Sequence, residues 1–191
     1  MVILCMIALV GFVIIGCLLE HRFDFLQQGL DLTNPSNQTP RLRGFEVVSD
    51  SFRKHPEVTI QLPRRADVGS CGYDFYSPID FVLKPGDYLL IPTDIKAYMQ
   101  QNEVLELNVR SNQGKLAIEV ADTISWIDAS YYNNPTNDGN IHIFLRNNGE
   151  GDYVVKQGDR VFQGKFSTYL LADEDDPLQL SRQGGLGSSG K

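Results

Sequence analysis

A chain of 191 residues with 42% hydrophobic content is long enough for one domain with a real core plus an appendage. Its net charge is −7 and its lysines and arginines are dispersed rather than gathered in a stripe, which excludes sequence-independent nucleic-acid binding. Cys5, Cys17 and Cys71 have no metal-ligand spacing, so neither a disulfide framework nor a zinc site follows, and a reducing compartment is expected. His21, His55 and His142 match no motif and read as surface or packing residues.

Residues 1–19, MVILCMIALVGFVIIGCLL, carry no charge and no polar side chain beyond cysteine. As a helix they would span about 28 Å, close to the hydrocarbon thickness of a bilayer. They predict a transmembrane helix acting as a membrane anchor, with Arg22 after it favouring a cytoplasmic C-terminal domain. The rivals are a signal peptide, which lacks its basic n-region here, a lipoprotein box ending at Cys17, and a misplaced start codon. Residues 20–42 predict a linker, because Asn34-Pro35, Ser36, Asn37 and Pro40 break any regular period.

From Gly44 onward, short β-runs alternate with turns. Phe45–Val48, Val58–Leu62, Tyr73–Tyr76, Phe81–Leu83, Tyr88–Ile91, Val104–Val109, Ile141–Leu145 and Val161–Tyr169 are rich in Val, Ile, Tyr and Phe. Lys84-Pro85-Gly86-Asp87 and Lys156-Gln157-Gly158-Asp159 are turn signals. Many short strands at this spacing predict an all-β sandwich, barrel or jelly roll over residues 43–172. Residues 173–191 predict a flexible C-terminal arm. The arm opens on the acidic run Asp173–Asp176 and closes on RQGGLGSSGK, whose exposed N–H groups and hydroxyls suit a phosphate chain.

Five polar clusters interrupt the strands. Gly69–Phe75 enters a strand through a glycine turn and carries Asp74. Val109–Gly114 is read as a strand ending in the donors Arg110, Ser111 and Asn112. Trp126–Tyr131 sets Asp128 between large apolar residues with Tyr131 three positions on, near enough to line one pocket. Gly158–Gln163 opens a strand and ends in Gln163, and the tail follows from Arg182.

In this order and spacing the clusters resemble the five motifs of the trimeric dUTPase (dUTP diphosphatase) family, with a likeness to the dUTPases of phages of Gram-positive bacteria. The resemblance covers about residues 43–190. It implies a jelly-roll subunit, a homotrimer with active sites at subunit interfaces, and hydrolysis of dUTP to dUMP and pyrophosphate with Mg2+. Asp128 matches the acid that activates the attacking water. Tyr131 matches the residue under the deoxyribose that excludes a 2′-hydroxyl. Ser111 and Gln163 match phosphate-side donors and Arg110 the neighbouring motif arginine, while Asn112, expected beside them at the substrate, stands where serine or glycine is commoner. Asp74 matches the acid that reaches the metal through water. Arg182, Gly185, Gly187, Ser188 and Ser189 match the lid over the β- and γ-phosphates.

Leu186 stands where the family usually stacks a phenylalanine on uracil, a loss of about 1 kcal/mol of stacking. Ser125 stands where a glycine usually opens the third motif, which alters the backbone approach to the base. Asn133–Gly139 enlarges that motif with a polar loop, expected to add nothing to the core. The alternative function is a regulatory binding partner of a host repressor, with that loop as its surface and catalysis secondary. The related dCTP deaminases would need a glutamate beside the third motif, and none is found.

Overall fold

The computed structural model describes residues 40–177 and 182–185. The expected anchor at residues 1–19, the linker up to residue 39, and the lid residues Leu186, Gly187, Ser188 and Ser189 lie outside them. Among the described residues no helix is long and apolar enough to cross a membrane.

The described chain is all-β with one short helix. Its strands are β1 (Gly44–Val47), β2 (Arg64–Arg65), β3 (Tyr73–Tyr76), β4 (Phe81–Leu83), β5 (Tyr88–Pro92) and β6 (Ile95–Tyr98). They continue with β7 (Glu103–Asn108), β8 (Ile118–Val120), β9 (Ser125–Asp128), β10 (His142–Asn147), β11 (Tyr153–Val155) and β12 (Arg160–Thr168). The helix α1 covers Ser111–Lys115. All pairings are antiparallel and form sheets ordered β2-β3-β12-β7-β9, β5-β10-β8, β1-β6 and β4-β11.

Alternation explains the strands. In β7 the odd positions Glu103, Leu105 and Leu107 are buried while Val104 and Glu106 are only partly so and Asn108 is exposed. β10 alternates in the same way and buries Ile143 and Leu145. The inward residues of three of the sheets and β6 of the fourth meet in one core that includes Phe75, Ile91, Ile95, Leu105, Leu145 and Phe162. Both expected turns form. Asp87 N–H donates to Lys84 O at 3.0 Å and Asp159 N–H to Lys156 O at 2.9 Å. Gly86 and Gly158 take the positive φ these turns need, 83° and 87°.

β12 contains a β-bulge. Arg160 pairs with Tyr76 and Phe162 with Phe75, so Val161 is one extra residue on this strand. Val161 and Phe162 are consequently both buried, and Phe162 stacks on Phe75 with centroids 4.5 Å apart. Two residues on, Gly164 has no room to grow. A Cβ there would lie 2.8 Å from Leu107 Cδ2 and 3.0 Å from Leu105 Cδ1, both in the core. Gly164→Ala is expected to cost about 1–3 kcal/mol by overpacking, as read from urea unfolding. A variant as stable as the parent would show that the core yields at this point.

Three expectations are corrected. Val58–Leu62 alternates like a strand but pairs with nothing and runs as irregular chain. The second polar cluster does not extend its strand to Val109. β7 stops at Asn108 and Ser111–Lys115 coils into α1. The Asn133–Gly139 loop is not a free polar insertion, because Asn134 and Asp138 are buried, as is Asn140 immediately after it. Lys96 Nζ donates to Asn133 Oδ1 at 2.7 Å and to the Asp138 carboxylate at 2.9 Å, while the Ser49 N–H and hydroxyl each donate to Asp138 at 2.7 Å. The loop is thus tied to β6 and to the segment after β1.

Candidate active site

The first, second and fourth polar clusters converge at one end of the five-stranded sheet. Register sets Arg64, Asp74, Gln163 and Asn108 side by side across β2, β3, β12 and β7, and cross-strand partners project on the same face. The bulge brings Arg160 to that face as well, since its partner Tyr76 lies two residues from Asp74. The nearly buried Asp74 carboxylate is gripped from both sides. Arg110 Nε lies 2.7 Å from Oδ1 and Arg160 Nη1 3.2 Å from Oδ2. One acid holding two guanidinium groups leaves a net positive, pre-oriented cluster suited to an anion.

Ser111 and Asn112 are the first two residues of α1, both exposed. Gln113 fastens that helix. Its Nε2 donates to Arg160 O at 2.8 Å and to Tyr153 Oη at 3.2 Å. Gln163 Nε2 donates to Val109 O at 3.3 Å. Its Oε1 lies so close over Gly72 that a Cβ there would sit 2.5 Å away. A side chain at Gly72 would therefore push the Gln163 carboxamide aside.

The third cluster builds a separate site with the start of the tail. β9 ends at Asp128, and one 3-10 turn, Ala129–Tyr131, carries the chain to a buried tyrosine. The Tyr131 hydroxyl donates to Asn140 O at 2.9 Å and accepts from Asn137 Nδ2 at 2.6 Å. Burial pushes the phenol pKa up, against the Asn137 hydrogen bond and the Arg182 charge, so the ring stays neutral. Gly139 takes a φ of 83° and passes so near Tyr131 that a Cβ would meet the Tyr131 carbonyl at 2.8 Å.

Arg182 Nη1 donates to Asp128 Oδ2 at 2.5 Å, and its guanidinium stands 5.1 Å from the Tyr131 ring centroid. Gly185 packs on the same ring, where a Cβ would come within 2.7 Å of Cε2. The Thr136 hydroxyl donates to Gln183 O. A cleft of about 220 Å³ opens beside this cluster, lined by Tyr131, Arg182 and Gly185 together with Ser125, Trp126 and His142. Ser125 does not project a free hydroxyl into it, because its Oγ donates to the Asp122 carboxylate at 2.7 Å.

The expected site residues therefore fall into two groups. Asp128, Tyr131, Arg182 and Gly185 meet in one, and Asp74, Arg110, Ser111, Asn112 and Gln163 in the other. Asp128 lies opposite Val104 near the start of β7, whereas Arg110 and Ser111 follow its end. At about 3.3 Å per residue the two groups are roughly 15–20 Å apart within one chain. Sequence reasoning missed Arg160 and Asn137. Arg160 stood inside a recognised cluster, but its partnership with Asp74 depends on the bulge. Asn137 sat in a loop read as peripheral.

Among the described residues no three His, Cys, Asp or Glu side chains gather as metal ligands. Asp74 already accepts from two arginines, and a carboxylate has about four acceptor positions. That donor set fits an ion carried by its ligand's own phosphates and met through water, not a protein cage.

Comparison with known proteins gives a consistent result. The dUTPase family model matches residues 59–171. A deoxyuridine 5'-triphosphate nucleotidohydrolase of Lactococcus lactis is 40% identical over 152 residues, covering 78% of this chain and 99% of that protein. One from Clostridium tetani is 30% identical over 136 residues, covering 69% and 90%. The crystal structure of dUTPase from Streptococcus mutans superposes with a TM-score of 0.59 at 35% identity, covering 68% of this chain and 98% of that one. The dUTPase of Staphylococcus bacteriophage 80alpha shares the fold at a TM-score of 0.57 and 22% identity, covering 80% and 100%.

Proposed function

Because this chain belongs to the dUTPase family and is a dUTP diphosphatase, we propose that its two residue groups form one active site only when contributed by different copies of a homotrimer. The observation that supports this is the length of β7 between Asp128 and Ser111. A general base and the donors that hold the reacting phosphate must act within a few ångströms of one another, so groups roughly 15–20 Å apart cannot serve one substrate.

In the assembled site, Asp128 accepts a proton from water as that water attacks the α-phosphorus. The bond from the α-phosphorus to the bridging oxygen breaks, dUMP forms and pyrophosphate leaves. Arg110, Ser111, Asn112 and Gln163 donate to the phosphate oxygens, with Arg160 adding charge beside them. Asp74 keeps both arginines aimed before substrate arrives. Tyr131 lies under the deoxyribose, its hydroxyl spent on Asn140 and Asn137, so its face offers packing with no room for a 2′-hydroxyl. Arg182 exchanges Asp128 for the β- and γ-phosphates as the tail from Gly185 to Ser189, including Leu186, closes over the nucleotide. Mg2+ arriving on the triphosphate would be met by Asp74 through water and would withdraw charge from the phosphate oxygens.

The test is complementation. Asp128→Asn and Ser111→Ala chains are unfolded together, refolded as mixed trimers and assayed for pyrophosphate release from dUTP. An intersubunit site leaves about a quarter of the sites intact in a random one-to-one mixture. Activity no greater than the sum of the two parents would place both groups in a single subunit's site and overturn the proposal.

A further inference from the structure

Two segments carry most of the phosphate-side group, residues 109–113 around the start of α1 and residues 160–163 of β12, and two glutamines cross-brace them. Gln163 on β12 donates back to the Val109 carbonyl at 3.3 Å, and Gln113 on α1 donates forward to the Arg160 carbonyl at 2.8 Å. Asp74 adds a third link by pairing with both Arg110 and Arg160. These links are not equivalent. Gln163, Arg110 and Arg160 are the groups assigned to the ligand's phosphates, so their internal contacts are shared with whatever binds. Gln113 is only 4% exposed, and among the residues of α1 it alone is buried, so its brace is shielded from solvent.

Fold stability does not account for a glutamine at this position. A carbonyl only accepts, so Arg160 O fixes the amide with Nε2 towards it, and the same nitrogen donates to the Tyr153 hydroxyl at 3.2 Å. Oε1 is left buried without a hydrogen-bond partner among the described residues. An unpartnered buried acceptor costs free energy, and an apolar side chain of the same size would avoid that cost. An apolar side chain could not, however, hold the backbone of Arg160 to the segment that carries Arg110, Ser111 and Asn112.

We propose that Gln113 is a positioning residue, which keeps the two halves of the phosphate-side group in register while substrate takes over their other contacts. The inference rests on the phosphate reading of this group and adds to it a residue that touches no substrate. Donors set in place this way hold phosphate in the ground state and the transition state alike, so their misplacement is felt in KM rather than in kcat.

The wild-type chain is first assayed for dUTP turnover with Mg2+, and for inhibition by pyrophosphate and by deoxyuridine. Absence of turnover or of competition by pyrophosphate would count against the phosphate reading itself, independently of Gln113. With both established, Gln113→Met keeps the side chain's length and bulk and removes its donor. The variant is expected to raise KM for dUTP about tenfold with kcat nearly unchanged. Its inhibition constant for pyrophosphate should rise by a similar factor, while that for deoxyuridine, which has no phosphate, stays at the parent's value. The melting temperature should stay near the parent's, because methionine also removes the unpartnered buried oxygen.

An unchanged KM, an unchanged pyrophosphate constant, or equal weakening of both inhibitors would overturn the proposal, the last because it marks a general loosening of the fold. A measurement on the unaltered protein stands beside the variant. In ¹⁵N-glutamine-labelled protein, the Gln113 side-chain amide should stay protected from solvent exchange with and without saturating pyrophosphate. Loss of that protection on binding would show that this brace is released as well, and would equally overturn the proposal.

Discussion

Asp128→Asn is expected to lower kcat for dUTP by about 10²- to 10⁴-fold, the range usual for losing a positioned general base. The substitution keeps the side chain's size and leaves an oxygen to accept from Arg182, but a carboxamide cannot take the proton that attacking water must lose. Little else should change. Asp128 is exposed, it makes no capping hydrogen bond to the turn that follows, and its ion pair is to Arg182 in the tail. The thermal melt should therefore match the parent's. Pyrophosphate release at saturating dUTP is the measurement, and a kcat within a few-fold of the parent would remove Asp128 from the role of base.

The largest effect on stability is expected at Asp94, a residue with no place in the chemistry. It is fully buried at a positive φ of 58°, between β5 and β6. Its carboxylate accepts from the Lys54 and His55 N–H groups, each at 2.8 Å, and from Asn140 Nδ2 at 3.0 Å, with Arg53 Nε at 3.5 Å. Asp94→Ala leaves these donors without a partner and should cost about 3–5 kcal/mol in equilibrium unfolding. Asp94→Asn retains one acceptor and tolerance of the left-handed backbone, so it should cost less.

The same site fixes a pH dependence. Burial, the strongest single influence, opposes ionisation, but the two N–H groups and the Asn140 amide together outweigh it and hold the pKa below the usual carboxylate value. A folded-state pKa below the unfolded one means that the stabilisation is complete above about pH 4. It is lost as pH falls through the folded pKa. Acid unfolding of Asp94→Asn should accordingly be shallower than that of the parent. Equal steepness would show that other carboxylates dominate.

Much of this fold was legible because β7 and β10 alternate cleanly and because Gly86 and Gly158 mark their turns. Val58–Leu62 shows the limit of that signal. Its apolar residues alternate, yet a strand needs a neighbour to accept its hydrogen bonds, and local sequence does not say whether one exists. Helix α1 was invisible for a different reason, since five residues are too few to display a 3.6-residue period.

The site residues were legible as motifs, but their division into two groups was not. That division follows from which residue of β9 lies opposite Val104, a matter of register. The importance of Asn133–Gly139 was hidden similarly. Its polar side chains look solvent-bound until Lys96, Ser49 and the Tyr131 hydroxyl are brought to Asn133, Asp138 and Asn137.

The extra residue at Val161 has a consequence for how this chain is compared with others. Arg160 and Gln163 are an odd number of positions apart in sequence yet occupy the same side of the sheet as Asp74, because the bulge absorbs one step. Parity along β12 is therefore broken at a single point. Deleting one residue there would keep both the arginine and the glutamine while turning one of them towards the core. A relative can thus carry both the arginine and the glutamine and still lack the ion pair, so the count of residues between them is as informative as their identities.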